Sequence, residues 1–168
     1  MNPQIANLIN NPLYENHILE VFRINSNNIL YGKQEIRPHE LKQVKEKLGE
    51  PSNIYKKTVY QNRNTYIINI NESYDSFRKE QKDYYCDYDV LYVISNKHIL
   101  NINNDDLPIL SKYDNNKIIN VFSYNINNAI INIEESEKNY TICMTLTLNK
   151  NNLNDIYQNI NYFNSLFV

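Results

Sequence analysis

The sequence predicts an α+β protein: a single domain over residues 1–168, mainly an antiparallel β sheet or barrel of about eight to nine strands, with a helix after the first hairpin and a C-terminal helix. Three observations lead there. Most apolar residues fall in short runs of alternating character, which is the period of a strand. The runs are joined by short, Asn-rich connections, and hairpin-length connections imply antiparallel pairing. A few stretches instead repeat apolar residues at spacings of three and four, the period of a helix face.

The elements follow in order. Residues 3–10 suggest a short helix, opened by Pro3 and carrying Ile5, Leu8 and Ile9 on one face. His17 to Ile24 and Ile29 to Ile36 read as strands of a first hairpin around Asn25-Ser26-Asn27-Asn28. Pro38 to Leu48 is a helix: Pro38 opens it, Glu40 suits its positive end, Leu41, Val44 and Leu48 form a stripe, and Gly49 with Pro51 closes it. Ile54 to Tyr60 and Thr65 to Ile70 form a second expected hairpin. Residues 71–86 are polar and rich in Tyr, either helix or loop. Val90 to Ile94 and His98 to Ile102 are expected to pair across Ser95-Asn96-Lys97, and 103–116 is expected to be an exposed loop.

Lys117 to Ile126, Ala129 to Glu134 and Tyr140 to Leu148 complete the strands. The last alternates most clearly, with Ile142, Met144, Leu146 and Leu148 on one face and Thr141, Cys143, Thr145 and Thr147 on the other. Asn152 to Phe167 closes as a helix with Leu153, Ile156, Ile160, Phe163 and Phe167 on one side.

Composition narrows the chemistry. Asn, Ile, Lys, Tyr and Phe make up 88 of 168 residues, whereas Ala and Gly occur twice each. The first set is written with A/T-rich codons, so surface Asn carries little functional information, and the skew is similar to that of giant-virus proteins. The net charge of -2 shows no basic excess of the kind nonspecific nucleic-acid binding uses. Gly32 and Gly49 stand alone, which excludes a P-loop and a dinucleotide fingerprint. No apolar run is long enough to span a membrane, and the opening Met1-Asn2-Pro3-Gln4-Ile5 lacks the features of a secretory signal. Cys86 and Cys143 are therefore expected as reduced thiols in an intracellular protein, and the acceptor patterns at Asn71 and Asn139 as unused.

Candidate site residues are few. Asp83, Asp87 and Asp89 with Cys86 form an acidic cluster, read as a solvated strand edge because no His lies nearby. Asp105-Asp106 and Glu134-Glu135 are adjacent pairs whose members face opposite ways on a strand, and are read as surface. His17, His39 and His98 are dispersed, without metal-ligand spacing. No metal and no cofactor is expected. The positive feature is a tyrosine cluster, Tyr74, Tyr84, Tyr85, Tyr88 and Tyr92, interleaved with Arg78, Lys79 and Lys82. Tyr is abundant throughout this chain, so the cluster reads as ordinary surface or core, as a protein interface, or as a stacking surface for single-stranded RNA.

A run with one carboxylate, His17-Ile18-Leu19-Glu20-Val21-Phe22-Arg23, comes first; Tyr124 to Glu134, Tyr140 to Leu148 and the final helix come last. That layout resembles the tunnel-fold RNA triphosphatases of mRNA-capping enzymes, antiparallel tunnels that open with a Glu-x-Glu strand and close with a second Glu-rich strand before a helix. The resemblance implies a metal held by alternating carboxylates and a triphosphate held by Arg and Lys. Glu20 is the one acidic position matched. Ile18 and Phe22 occupy the alternate positions, the last strand has no carboxylate, and the strands carry few cations, Arg23 and Arg63 being the candidates. A relative lacking those ligands binds without catalysis. The expectation is a non-catalytic subunit of a larger viral assembly, in the host cytoplasm or virion. It docks protein partners through Tyr74, Arg78, Tyr84, Tyr85, Tyr88 and Tyr92, with a degenerate RNA 5′-triphosphatase-like protein or a single-stranded RNA-binding module as the alternatives.

Overall fold

A computed structural model describes residues 2–23, 38–59, 66–67, 83–87, 90–95, 108–109, 117–135 and 140–168. The protein is α+β, and its centre is an antiparallel sheet. Helix α1 (Pro3–Ile9) leads into β1 (Ile18–Arg23); α2 (Pro38–Leu48) and β2 (Asn53–Val59) follow. Next come β3 (Tyr66–Ile67), β4 (Asp83–Asp87), β5 (Val90–Ser95), β6 (Pro108–Ile109), β7 (Lys117–Ile126), β8 (Ala129–Glu135), β9 (Tyr140–Thr147) and helix α3 (Leu153–Ser165). Seven strands form one open sheet in the order β2-β7-β8-β9-β1-β5-β4, and β3 pairs with β6 in a separate two-stranded ladder. No helix among the described residues is long and apolar enough to cross a membrane.

Pairing departs from the expected hairpins. Strand β1 has β5 on one side and β9 on the other along its whole length. It therefore leaves no edge for 29–36, a stretch that lies outside the described residues. Strand β5 is likewise flanked by β1 and β4, and its expected partner 98–102 lies outside the described residues. Strand β2 pairs with β7, while Tyr66–Ile67 runs parallel to Pro108–Ile109, so the second hairpin is also replaced. Asp83–Asp87, expected as helix or loop, is a strand paired to β5, and Pro108–Ile109 interrupts the expected loop at 103–116. The physical reason is common to all: Asn is abundant everywhere in this chain, so an Asn-rich spacer carries little information about a turn. The described turn between β7 and β8 is a real two-residue hairpin. Asn127 and Asn128 both take positive φ, 20° and 64°, which Asn tolerates.

One face of the sheet carries the main core. Leu19 and Val21 on β1, Tyr92 and Ile94 on β5, Ile131 and Ile133 on β8, and Ile142, Met144 and Leu146 on β9 are buried there. The helices cover them with Ile5 and Ile9 from α1, Leu41 and Val44 from α2, and Ile156, Ile160, Phe163 and Leu166 from the α3 end. Local signals seat these helices. The Asn2 side chain accepts from the Gln4 N–H at 2.8 Å and caps α1. Gly49, at φ +77°, ends α2 in the left-handed region. Lys47 Nζ donates to the carbonyls of Ser165, Leu166 and Val168, placing a cation on the negative end of α3. Asn159, buried on α3, donates to the Asn127 carbonyl at 2.7 Å and ties that helix to the β7–β8 turn.

Candidate functional site

Strand alternation sends the intervening residues to the second face. Opposite Thr145 and Val93 stands Glu20; opposite Asn132 and Phe22 stands Cys143; opposite Thr141 and Val121 stands Glu134. This face is buried too. Phe22, Leu91, Val93 and Cys143 are fully enclosed, and so are the polar groups, with Glu20 1% and Glu134 2% exposed beside Thr141 and Ser95. Burying carboxylates is costly without hydrogen-bonding or charged company, and both have interacting groups around them.

Cys143 is the link between them. Its Sγ donates to Glu20 Oε2 at 3.8 Å and lies 3.8 Å from Thr145 Oγ1. Burial pushes its thiol well above the ordinary value, and the negative charges of Glu20 and Glu134 push the same way, against a smaller opposing hydrogen bond from Thr145. Cys143 is thus a protonated thiol and a poor nucleophile. Nearby, Ser123 Oγ donates to Asn132 Oδ1.

The carboxylates do not converge. Glu20 and Glu134 sit on strands either side of β9 and level with Thr145 and Thr141 respectively. Two strand spacings across and four residues along separate their Cα atoms by about 16 Å. One ion needs ligands within about 2.6 Å of itself, so these two cannot share one. Among the described residues no group of three or more His, Cys, Asp or Glu is placed to hold a metal. The adjacent pair at 134–135, expected as surface, is split by the alternation of β8. Glu134 is buried on the second face, while Glu135 forms an ion pair with Lys45 of α2.

The tyrosine cluster disperses. Tyr74, Arg78 and Tyr88 lie outside the described residues. Tyr84 is on β4, its side chain outside the described set. Tyr85 is half-buried and accepts from Asn2 Nδ2 at 2.8 Å; its ring lies 6.3 Å from that of Tyr92. Tyr92, 5% exposed, is part of the helix-covered core, where its hydroxyl accepts from Asn164 at 3.5 Å. Asp83, Cys86 and Asp87 are on β4; Asp89, Asp105 and Asp106 lie outside the described residues. His17 stacks edge-on against Tyr14 just before β1, His39 is exposed on α2, and His98 lies outside the described residues.

Two neighbouring apolar side chains are exposed on β2, which among the described residues is an edge strand of the sheet. Ile54 is 60% and Tyr55 41% exposed, and Ser52 through Lys56 are all at the surface. Ile54 stands beside half-buried Phe122 of β7, over whose ring Lys45 Nζ lies at 4.3 Å. The sequence signal was present as a run read for pairing, Ile54-Tyr55-Lys56-Lys57, but nothing in a run says which strand ends a sheet. No protein-family model matches the chain, and neither a curated protein nor a solved structure is similar to it.

Proposed function

We propose that this chain is a non-catalytic interaction subunit of a larger assembly, viral in origin and working in the host cytoplasm or virion, and that it docks a protein partner along β2. The observation that carries this is the exposure of Ile54 and Tyr55 on a seven-residue edge strand. An edge strand offers unpaired backbone groups to another chain, and exposed apolar side chains on it add area for contact. Natural proteins blunt such edges with charged side chains, and on β2 the exposed Lys56 does so beside apolar Ile54 and Tyr55. The test is affinity purification from the source cells with wild-type and Ile54→Lys chains side by side. A stoichiometric, salt-stable partner that is retained by wild type and lost from the variant supports docking at β2. Equal recovery of the partner with both chains refutes it.

A second reading, a degenerate triphosphatase-like protein, draws on one feature, the burial of Glu20 and Glu134 on the same face of the sheet. It requires that sheet to close into a barrel of about eight or nine strands around that face. It predicts saturable binding of 5′-triphosphorylated RNA without phosphate release. No binding at micromolar protein refutes it.

A further inference from the structure

Strand β2 has a chemistry of its own, and it selects among occupants. Its residues alternate, so Ile54 and Lys56 share the face on which Phe122 and Asn120 lie, and Tyr55 stands on the opposite face beside Val121. Lys56 is exposed. A strand added beside β2 would set one residue against Ile54, the next against Tyr55 on the other face, and the third against Lys56.

A second copy of this chain is disfavoured by the same pattern. In an antiparallel pair of β2 strands related by a two-fold axis, only one register pairs all seven residues, Asn53 to Val59. That register is centred on Lys56, so it opposes Lys56 to its own copy. Like charges directly opposite each other across a ladder are destabilising. Because faces alternate, such a pair can slip only two residues at a time, so every register that relieves the clash abandons pairs at the ends.

We infer that β2 takes an extended segment of a different protein, with an acidic residue opposite Lys56 and apolar or β-branched residues opposite Ile54 and Tyr55. This rests on the docking role proposed above. Backbone hydrogen bonds supply a sequence-independent part of the affinity, and the Lys56 position supplies the discrimination.

The experiment uses the full chain, labelled with nitrogen-15, and two capped, valine-rich hexapeptides that differ in one central residue, glutamate or lysine. The glutamate peptide is expected to shift the amide resonances of Asn53–Val59 saturably. Its midpoint should fall at a concentration on the order of tenfold lower than that of the lysine peptide, since an attractive cross-strand pair replaces a repulsive one. Lys56→Glu, a change at an exposed site that leaves the fold intact by circular dichroism, should reverse the order of the two peptides. Equal shifts from both peptides overturn the acidic preference and leave edge docking standing. Silence from both peptides, with the partner still lost on Ile54→Lys, overturns strand addition but keeps β2 as the docking site. Silence with no partner lost removes both. Concentration-dependent dimerisation that Ile54→Lys abolishes assigns the edge to a second copy and overturns the inference.

Discussion

The two faces of the sheet both bury side chains at the centre and are chemically unlike. The helix-covered face is apolar almost throughout, from Leu19 and Val21 to Ile133 and Met144. The opposite face alternates Phe22, Leu91 and Val93 with Glu20, Cys143, Thr141 and Glu134. Burial alone therefore does not say what a face is for. Apolar contact explains most of the first, since each side chain adds transfer free energy and, tyrosine hydroxyls aside, none needs a polar partner. The second holds groups whose enclosure costs free energy unless each is satisfied, and such networks fix one arrangement more than they stabilise it.

The largest effect should come from the apolar face. Phe163→Ala opens a cavity beneath α3 at a fully buried site and should cost about 3–5 kcal/mol, measured by urea denaturation. A loss below about 1 kcal/mol would mean that α3 is not anchored as described. Glu20→Leu probes the other face. Removing the carboxylate takes an acceptor from its neighbours, the Cys143 thiol among them, at a cost of about 1–3 kcal/mol. A neutral or stabilising result would show that the second face is interchangeable with an ordinary core.

Cys143 sharpens the contrast through pH. Its folded thiol ionises later than the unfolded one, so the stability linked to it is complete below the unfolded value and is lost as pH rises toward the folded one. Between about pH 9 and 11 the wild type should lose stability faster than Cys143→Ala. Identical slopes would place the thiol in contact with solvent. In the folded protein at pH 8, Cys143 should also resist iodoacetamide until denaturant is added. The smallest change in stability is expected at the edge: Ile54→Lys should shift it by less than about 0.5 kcal/mol, although it removes the partner.

The helices were legible in the sequence because a stripe at spacings of three and four has no competing explanation: Ile156, Ile160 and Phe163 are buried as that pattern requires. Strand β9 was legible for the same reason, with Ile142, Met144 and Leu146 on one face. Strand partners were not. Leu19 and Val21 announce a buried strand, yet nothing local says that its neighbours are β5 and β9. Glu20 stood out in the sequence as an acidic position, but its burial did not. Glu134 was hidden because its pairing with Glu135 suggested a solvated surface, and whether an alternating strand buries its polar side depends on what covers it. Tyr92 reads as surface in a tyrosine cluster and as core in the sheet. Its ring decides by packing, which composition does not encode.

The position of β1 between β5 and β9 has a consequence for the order of events during synthesis. The contact between Glu20 and Cys143 joins residues 123 apart in the chain. As the chain leaves the ribosome, β1 is made long before its second neighbour. Through that interval Leu19, Val21 and Phe22 have no completed sheet to enter, so assembly passes through a long-range closure in which β9 seals the centre. Closures of that length are slow, and the waiting strands are prone to aggregation.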